Sequence, residues 1–540
     1  MVRKSGNLTV DGDGANLDIG NGRIMLRLYV RDGGYVQEFH AKDCAGQYRP
    51  VLSSLHKNLI PASEHRVCAS PMISGERPHL YGVCRESLRM VYSQASVIEH
   101  DERRVTVRLS GDVQFHTLNC AITIESDASH FHVSVDDTVQ PEEDIPLVEY
   151  VMSAYAFLPG IEPITNDKPL DYIWAPVLRP GKDQLIGDRA FGSPAIIVQH
   201  QSCAAAIIPD LRALDSSRPM PAALDMDIAN GLLPAPLLSY GLCAYQLTDD
   251  GCFCRHDVTM SRRLDPPKLS YAYYLLINAD AAHCQAYREV SRFLWSIYGS
   301  EAIRSEPARP HHVLATNGHT GSVRPDHHTG MRLHTGREIL QPAWERLDRY
   351  DSTGSRNHLA RGLEALDQAC LLQSVWRIPW REDPVEPGAV AGSNRGWYPD
   401  PVLAAQFARC AMRYGALIGD CYYFERGTAA LRAALSAQGL NEAAQAAVDE
   451  CVELIGAEYG SVYVHVGKRW GACASGPQIR RLDFARGEVR LSFVPSPNGE
   501  DHRRIVFGGL RGKTYKVRID GRTLVCTREQ MEAGISEGEL

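Results

Sequence analysis

At 540 residues the chain is too long for one hydrophobic core, so its length predicts two to four domains. A hydrophobic share of 44% and a charged share of 23% are typical of a globular protein in water, and a net charge of −8 argues against a basic surface for nucleic acid or an anionic membrane. The longest apolar runs, such as 271–277, are too short to cross a bilayer, and we expect no signal peptide, because no apolar stretch follows the first charged residues.

The 15 cysteines are scattered along the chain, and none of them form a CxxC pair. The closest two, Cys252 and Cys254, are separated by one residue. Such spacing favours free thiols in a reducing compartment over disulfides or a zinc site. We therefore expect a cytoplasmic protein that needs no metal and no cofactor.

Residues 1 to about 280 have the pattern of many short strands. Polar and apolar residues alternate in 23–30, 104–110, 120–126 and 130–137, and turn residues separate these segments. Almost no amphipathic helix lies between them. The pattern predicts large antiparallel sheets stacked face to face.

One long segment, 171–194, interrupts these strands with three prolines, three glycines and several charged side chains. Tryptophan stacks on sugar faces, and arginine and aspartate bind polar ligands. We predict that Trp174, Arg179, Asp188 and Arg189 contact a substrate, with Asp183 as a further acidic side chain. The alternative is an ordered surface segment in which Asp188 and Arg189 form local ion pairs.

The pattern changes near residue 285. Apolar residues at helical spacing predict a linker helix over 284–299, with Gly299 as its C-cap. Prolines and glycines then interrupt the helical pattern over 301–334. Six histidines lie in this segment, among them His327 and His328. These two histidines are candidates for hydrogen bonds to a sugar; a plain linker and a metal site are the alternatives, although no HExxH spacing is present.

Helical periodicity then dominates up to about residue 457. It predicts helices from 336, over 357–376, 402–418 and 422–437, and from an N-cap at Asn441. Glu425 and Arg426 lie near the start of one of them, and we predict that they fasten helix ends; a catalytic role for Glu425 is the alternative.

An irregular stretch within this block, 379–401, is the best candidate for chemistry. Cleavage of a glycosidic bond needs a proton donor and a second carboxylate, which Glu382 and Asp400 would supply. Arg381, Trp397 and Tyr398 would contact the substrate. The alternative is a solvated loop with two buried tryptophans.

Alternating strands return over residues 460–540. The order of strand block, linker helix, helical block and strand tail resembles carbohydrate-active enzymes with an N-terminal galactose-mutarotase-type β-super-sandwich and an (α/α) toroid. Short patches at 33–39, 120–137 and 274–280 are similar to the super-sandwich, and 418–427 is similar to a toroid helix junction.

The resemblance implies an α+β multidomain protein. Its expected parts are a β-super-sandwich (1–283), a linker helix and histidine-rich linker (284–333), a shortened toroid-like helical domain (334–458) and a small C-terminal β-sandwich (459–540). A complete toroid has twelve helices, whereas this block has room for about five or six.

The resemblance also implies an enzyme that cleaves a glycosidic bond in an oligosaccharide, between the sandwich and the helical domain, as a glycoside hydrolase or, next, a lyase acting on uronates. Because the helical block is short, a non-catalytic carbohydrate-binding or scaffold protein is the main alternative. A mutarotase-like isomerase is a third, for which the sequence offers no convincing His/Glu pair. We expect no nucleic-acid or membrane partner, and the sequence leaves the oligomeric state open.

Overall fold

A computed structural model describes most of the sheets and helices of the chain. The described residues are 3–31, 33–57, 65–67, 72–74, 92–113, 116–139, 150–158, 170–174, 195–213, 222–227, 237–243, 245–247, 254–256, 268–282, 285–304, 335–375, 387–392, 399–418, 420–436, 440–454, 462–466, 472–475, 479–485, 488–493, 504–508, 510, 512–519 and 522–536. They divide into two compact units, one ending at Val290 and the other beginning at Ser291, inside helix α1 (Gln285–Arg304).

The first unit is built from β-strands. In chain order its described strands are β1 (Arg3–Ser5), β2 (Leu8–Gly12), β3 (Asn16–Gly20), β4 (Ile24–Arg31), β5 (Gly34–Lys42), β6 (Tyr48–Ser53), β7 (Leu55–Lys57), β8 (His65–Val67), β9 (Met72–Ser74), β10 (Gln94–His100), β11 (Arg104–Val113), β12 (His116–Glu125), β13 (His130–Val139), β14 (Tyr150–Phe157), β15 (Tyr172–Trp174), β16 (Ile196–His200), β17 (Cys203–Pro209), β18 (Ala222–Asp227), β19 (Leu237–Cys243), β20 (Tyr245–Leu247), β21 (Cys254–His256) and β22 (Lys268–Asn278).

Two large sheets contain most of these strands. A ten-stranded sheet runs β1-β2-β3-β4-β5-β6-β14-β19-β18, with β9 also paired to β14, and an eight-stranded sheet runs β10-β11-β12-β13-β22-β17-β16-β15. Their described pairings are antiparallel, which confirms the prediction from alternation. In β13, for example, Phe131 and Val133 are buried while His132 and Ser134 are partly exposed on the other face.

The two sheets share one hydrophobic core. Phe39 of the ten-stranded sheet meets Phe131 of the eight-stranded sheet edge to face, with ring centroids 4.9 Å apart. Polar atoms also link the sheets: the hydroxyl groups of Tyr155 and Tyr273 lie 2.7 Å apart, and the Ser153 hydroxyl lies 3.0 Å from that of Tyr271. These four buried hydroxyl groups are therefore hydrogen-bonded across the core, which offsets the cost of their desolvation.

The second unit contains the helical block and the strand tail. Its described helices after α1 are α2 (Gly336–Thr353), α3 (Arg356–Ala369), α4 (Pro401–Ile418), α5 (Cys421–Leu435), α6 (Glu442–Leu454) and α7 (Arg528–Ala533). The described tail strands are β23 (Val462–Val466), β24 (Ala472–Ser475), β25 (Ile479–Ala485), β26 (Glu488–Phe493), β27 (Arg504–Gly508), β28 (Thr514–Ile519), β29 (Arg522–Thr527) and β30 (Ile535–Ser536). One tail sheet runs β24-β23-β27-β30 and includes a parallel pair, β23 with β27.

Helices α4 and α5 pack closely because small residues line their contact. A Cβ atom added to Gly427 would lie 2.7 Å from Cγ of Met412, and one added to Gly415 would lie 2.9 Å from the backbone nitrogen of Phe424. Alanines 429, 430 and 434 of α5 are buried. This close pair forms the support on which the polar residues at the start of α5 are held.

Several helix ends differ from the predictions. The linker helix does not stop at Gly299 but continues to Arg304. Gly299 lies inside the helix, where the ring of Trp295 occupies the space that a side chain would take. Helix α3 ends at Ala369 instead of near 376; a 3-10 turn follows, and Gln373 then pairs with Val390 in a β-bridge. The predicted N-cap is confirmed, since Asn441 Oδ1 accepts a hydrogen bond from the backbone N–H of Ala444 at 2.9 Å.

The α+β multidomain class with large antiparallel sheets is thus confirmed. The super-sandwich and toroid assignments and the bounds of the four predicted parts stay predictions. Among the described helices, none is long and apolar enough to cross a membrane. Seven of the described cysteines, at positions 44, 120, 203, 370, 410, 451 and 526, are free thiols.

Candidate functional site

The structure describes two of the predicted site residues, Trp174 and Asp400. The other predicted catalytic and substrate-contacting residues lie outside the described part of the chain: Glu382, Arg179, Asp188, Arg189, His327, His328, Arg381, Trp397 and Tyr398, together with Asp183. Their predicted roles stay predictions.

Trp174 is the last residue of β15, which pairs with β16. Its side chain is buried, with 7% of its surface exposed, and its indole N–H has no hydrogen-bond partner among the described residues. The described residues therefore show the ring as part of the packing at the sheet edge, and its predicted sugar contact is not tested.

Asp400 is the N-cap of α4. Its Oδ1 accepts a hydrogen bond from the backbone N–H of Leu403 at 3.0 Å, and its own N–H donates to the carbonyl of Val390 at 2.8 Å. Pro401 follows as the first helical residue, where proline is favoured. Asp400 thus has a structural task that does not depend on the predicted catalytic one.

A cluster of polar side chains lies at the start of α5, within the second unit. Asp420 is the N-cap, and its Oδ1 accepts from the backbone N–H of Tyr422 at 3.0 Å. Its Oδ2 forms an ion pair with Arg292 of α1 at 2.6 Å. The Arg292 guanidinium also lies over the ring of Tyr422, 4.4 Å from the ring centroid. One carboxylate therefore both caps α5 and connects it to α1.

Glu425 lies one turn further along α5 and is partly buried. Its Oε2 accepts a hydrogen bond from Nε1–H of Trp295 at 3.1 Å. Burial raises the pKa of Glu425 to about 7; the hydrogen bond from Trp295 opposes this, and the negative charge of Asp420 adds to it. Near neutral pH this carboxyl group is consequently divided between its protonated and charged forms.

Arg426, the next residue, is fully buried. Its guanidinium donates to the carbonyl oxygens of Cys370 and Ser291, both at 2.8 Å, and to Oε1 of Gln373 at 3.1 Å. It also lies 4.7 Å from the ring centroid of Trp295. Arg426 therefore fastens α5 to α1 and to the chain after α3, which agrees with its predicted role as a helix fastener.

The sequence prediction gave Glu425 a structural role, with catalysis only as the alternative, and did not single out Trp295 at all. A signal was present, because Asp420, Glu425 and Arg426 are charged residues in a helix otherwise rich in alanine and aromatic residues. Charged side chains on the packed face of such a helix need partners, and here the partners come from α1, about 130 residues earlier.

A second polar cluster lies on the eight-stranded sheet of the first unit. Nε2 of His132 on β13 lies 3.1 Å from Oδ2 of Asp210, and the Tyr274 hydroxyl on β22 donates to the same oxygen at 3.3 Å. The backbone N–H of Arg212 donates to Oδ1 of Asp210 at 3.1 Å. His132 and Tyr274 are register partners on neighbouring strands, so the sheet itself brings them together.

His130 completes this cluster, with its ring 5.6 Å from that of Tyr274. Burial, and after it the nearby His132, lower the pKa of His130 to about 4, against the opposing effect of Asp127. His130 is therefore a neutral imidazole at neutral pH. Among the described residues, no group of three or more His, Cys, Asp or Glu side chains is arranged to hold a metal ion.

No protein-family model matches the chain, and no curated protein matches its sequence. Solved structures match it in part. One is the galactosidase domain of the α-galactosidase–sucrose kinase AgaSK, at 11% identity over 63% of this chain and 49% of that one, with a TM-score of 0.27. Another is the GH36 α-galactosidase AgaB from Geobacillus stearothermophilus, at 10% identity over 56% and 44%, with a TM-score of 0.29.

A galactose mutarotase related enzyme from Lactobacillus acidophilus matches at 10% identity over 49% of this chain and 98% of that one, with a TM-score of 0.24. The chain spans about half the length of the two galactosidase structures. These likenesses are at the level of architecture, so the functional proposal rests on this chain's own residues.

Proposed function

We propose that the protein cleaves glycosidic bonds in an oligosaccharide and that Glu425 donates the proton to the leaving oxygen. The observation that carries the proposal is a partly buried carboxyl group whose pKa is raised to about 7, held by the indole N–H of Trp295 at 3.1 Å. A general acid works best when its pKa lies near the working pH, and a carboxylic acid with a raised pKa is what glycosidases use.

Asp420 supports this reaction as the second carboxylate. Its ion pair with Arg292 at 2.6 Å and its capping bond to Tyr422 fix its position beside α1. Glycosidic cleavage passes through a transition state in which the sugar carries positive charge, and a nearby carboxylate stabilises that charge or activates water. The cluster thus offers one carboxyl group that can give a proton and a second that is paired with an arginine.

The predicted pair of Glu382 and Asp400 is the competing assignment of acid and base for the same reaction. The capping hydrogen bond of Asp400 is compatible with either assignment. Amide variants at Glu425 and Asp400 therefore decide between the two.

The first experiment is an activity profile on a panel of neutral and uronate-containing oligosaccharides. Reducing ends and the absorbance of an unsaturated product are read in the same reaction. Reducing ends alone show hydrolysis, and both signals together show elimination. Silence on the whole panel would contradict the proposal and favour the non-catalytic carbohydrate-binding alternative.

The second experiment tests Glu425 itself. Glu425→Gln keeps the size of the side chain and removes its proton, so turnover on natural oligosaccharides should fall by roughly 10²-fold or more. Aryl glycosides with a strongly acidic phenol need no protonation on leaving, and the variant should cleave them with a much smaller loss.

Glu345→Gln is the matched control. Glu345 is exposed on α2 and accepts a hydrogen bond from the side chain of Gln341. It should behave as the wild type. Equal losses by Glu425→Gln on both substrate types would show that Glu425 is not the proton donor.

A second candidate function, interconversion of the two anomers of a free sugar, is favoured by the His132–Asp210 pair with Tyr274 beside it. Such an isomerase removes the proton of the anomeric hydroxyl and protonates the ring oxygen, and the ring opens and closes again on either face. Imidazole, carboxylate and phenol are suited to these proton transfers. Polarimetry of freshly dissolved sugars tests it: His132→Gln should abolish any acceleration, and a wild type without acceleration would exclude the function for those sugars.

A further inference from the structure

We infer that Trp295 is a positioning residue that holds the carboxyl group of Glu425 through its indole N–H, and that Gly299 and Arg426 hold the indole ring in the orientation this requires. The inference deepens the proposed function and rests on it, since it concerns the residue proposed as the proton donor.

The first step is the space beside the indole ring. Trp295 and Gly299 lie four residues apart in α1, on the same face of the helix. A Cβ atom at position 299 would lie 2.6 Å from Cδ2 and 2.7 Å from Cε2 of Trp295, closer than packed carbon atoms approach. Only glycine at 299 leaves room for the ring where it lies.

The second step is the other support of the ring. The guanidinium of Arg426 lies 4.7 Å from the ring centroid of Trp295 and is itself fixed by hydrogen bonds to Ser291 and Cys370. Arginine stacks well on an indole face. Helix α5 thus contacts the indole twice, through Arg426 at the ring and through Glu425 at the N–H edge.

The third step is the consequence for the proton. Trp295 donates to Glu425, and a donor to the charged form of a carboxyl group lowers its pKa against the effect of burial. The charged groups around Glu425 are Asp420, which raises this pKa, and Arg292 and Arg426, which are engaged by Asp420 and by backbone carbonyls. Loss or displacement of the indole should therefore raise the pKa of Glu425 above its value in the wild type.

The test measures the resting full-length protein, without substrate. The indole N–H resonance of Trp295, assigned by its loss in Trp295→Phe, should titrate near pH 7 in the wild type, and Glu425→Gln should abolish that titration. The carboxyl resonance of Glu425 in protein carrying ¹³C-labelled glutamate, assigned with Glu425→Gln, should titrate about one pKa unit higher in Trp295→Phe, the scale of one lost hydrogen bond to a charged group.

Gly299→Ala keeps the donor but displaces the ring, and it should raise the pKa of Glu425 in the same direction. Ser296→Ala, at an exposed position of α1, is the control and should change neither titration. An unchanged Glu425 titration in Trp295→Phe, or an indole resonance that ignores pH in the wild type, would overturn the inference. If Gly299→Ala does not fold, the wild-type and Trp295→Phe titrations still decide the role of Trp295.

These readouts do not need turnover, so the two proposals fail separately. If Glu425→Gln keeps full activity while the titrations behave as expected, the catalytic proposal is wrong and the positioning contact stands. If the activity falls as expected but the titrations do not move, Glu425 is the donor and Trp295 does not position it.

Discussion

In the cluster at the start of α5 and in the cluster on the eight-stranded sheet, the same physical cause shifts the pKa of one side chain. Burial raises the pKa of Glu425 to about 7 and lowers that of His130 to about 4. In both cases removal from water disfavours the charged form. The result is a carboxyl group that is still partly protonated near neutral pH in one unit, and an uncharged imidazole in the other.

The two clusters differ in how they are assembled. His132 and Tyr274 meet because they are opposite each other on paired strands, whereas Glu425 and Trp295 meet because two helices from distant parts of the chain pack together. The sheet cluster depends on strand register, and the helical cluster depends on the hydrogen bonds of Arg426. The comparison teaches that strand register keeps His132 opposite Tyr274 whatever one side chain does, whereas the contact between α1 and α5 depends on the bonds of Arg426.

The largest expected effect comes from Arg426→Met. The substitution leaves two buried carbonyl oxygens and Oε1 of Gln373 without their donor, and breaking a buried charged network typically costs about 3–5 kcal/mol. Chemical denaturation should show this loss, whereas Arg528→Met, which removes an exposed helix pair with Glu532, should leave the free energy of unfolding nearly unchanged. An equally small change for Arg426→Met would remove the distinction between the clusters.

The pH dependence of stability separates the two clusters by sign. Folded Glu425 holds its proton up to about pH 7 while the unfolded chain releases it near 4.5, so its contribution is present at low pH and is lost as pH rises between these values. Unfolded His130 binds a proton below about 6.5 and the folded residue only below about 4, so its contribution is present at higher pH and is lost as pH falls between these values.

Glu425→Gln should therefore remove a decrease in the free energy of unfolding as pH rises, and His130→Gln should remove an increase. Each group changes the slope by at most about 1.4 kcal/mol per pH unit. The free energy of unfolding is measured from pH 4 to 8 for both variants and the wild type. Changes of the same sign in the two variants would contradict the assigned directions.

Asp400 tests whether a carboxylate outside both clusters acts through structure or through chemistry. Asparagine is as good an N-cap as aspartate, so Asp400→Asn should leave the thermal midpoint nearly unchanged, whereas Asp400→Ala should cost about 1 kcal/mol. If Asp400 is the predicted acid or base, the asparagine variant should still lose roughly 10²-fold in turnover. Full turnover in that variant would leave Asp400 with its capping role alone.

The smallest effect is expected at Asp420. Asp420→Asn keeps the cap on the N–H of Tyr422 but removes the negative charge that raises the pKa of Glu425. The pKa of Glu425, read from its carboxyl resonance, should fall by a fraction of a pKa unit. A rise would contradict the assigned direction, because the lost negative charge and the released Arg292 guanidinium both favour the charged form of Glu425.

Local sequence patterns predicted much of the fold, because strands and helix ends are set by neighbouring residues. Alternation predicted strand β13, and Asn441 was identified correctly as an N-cap. The pair Asp400–Pro401 carried an equally local signal, an N-cap followed by a proline, which the catalytic interpretation left aside.

The helical cluster could not be predicted in the same way. Nothing near Glu425 in the sequence shows that it meets Trp295, and its raised pKa depends on burial that only the packed helices create. Gly299 shows the same difficulty. Its position near the end of the apolar pattern is typical of a helix cap, yet in the fold its missing side chain makes room for an indole inside the helix.

The tyrosine hydroxyl groups between the two large sheets have a consequence for how the first unit selects a single arrangement. Hydrophobic contact has no direction, so on its own it lets one sheet slide over the other with little change in buried area. The bonds between Tyr155 and Tyr273 and between Ser153 and Tyr271 form at one alignment only. Any slide would leave these buried hydroxyl groups without their partners, at a cost of about 1–3 kcal/mol each. The hydroxyl groups therefore fix the alignment of the two sheets, and the apolar residues fill the space between them.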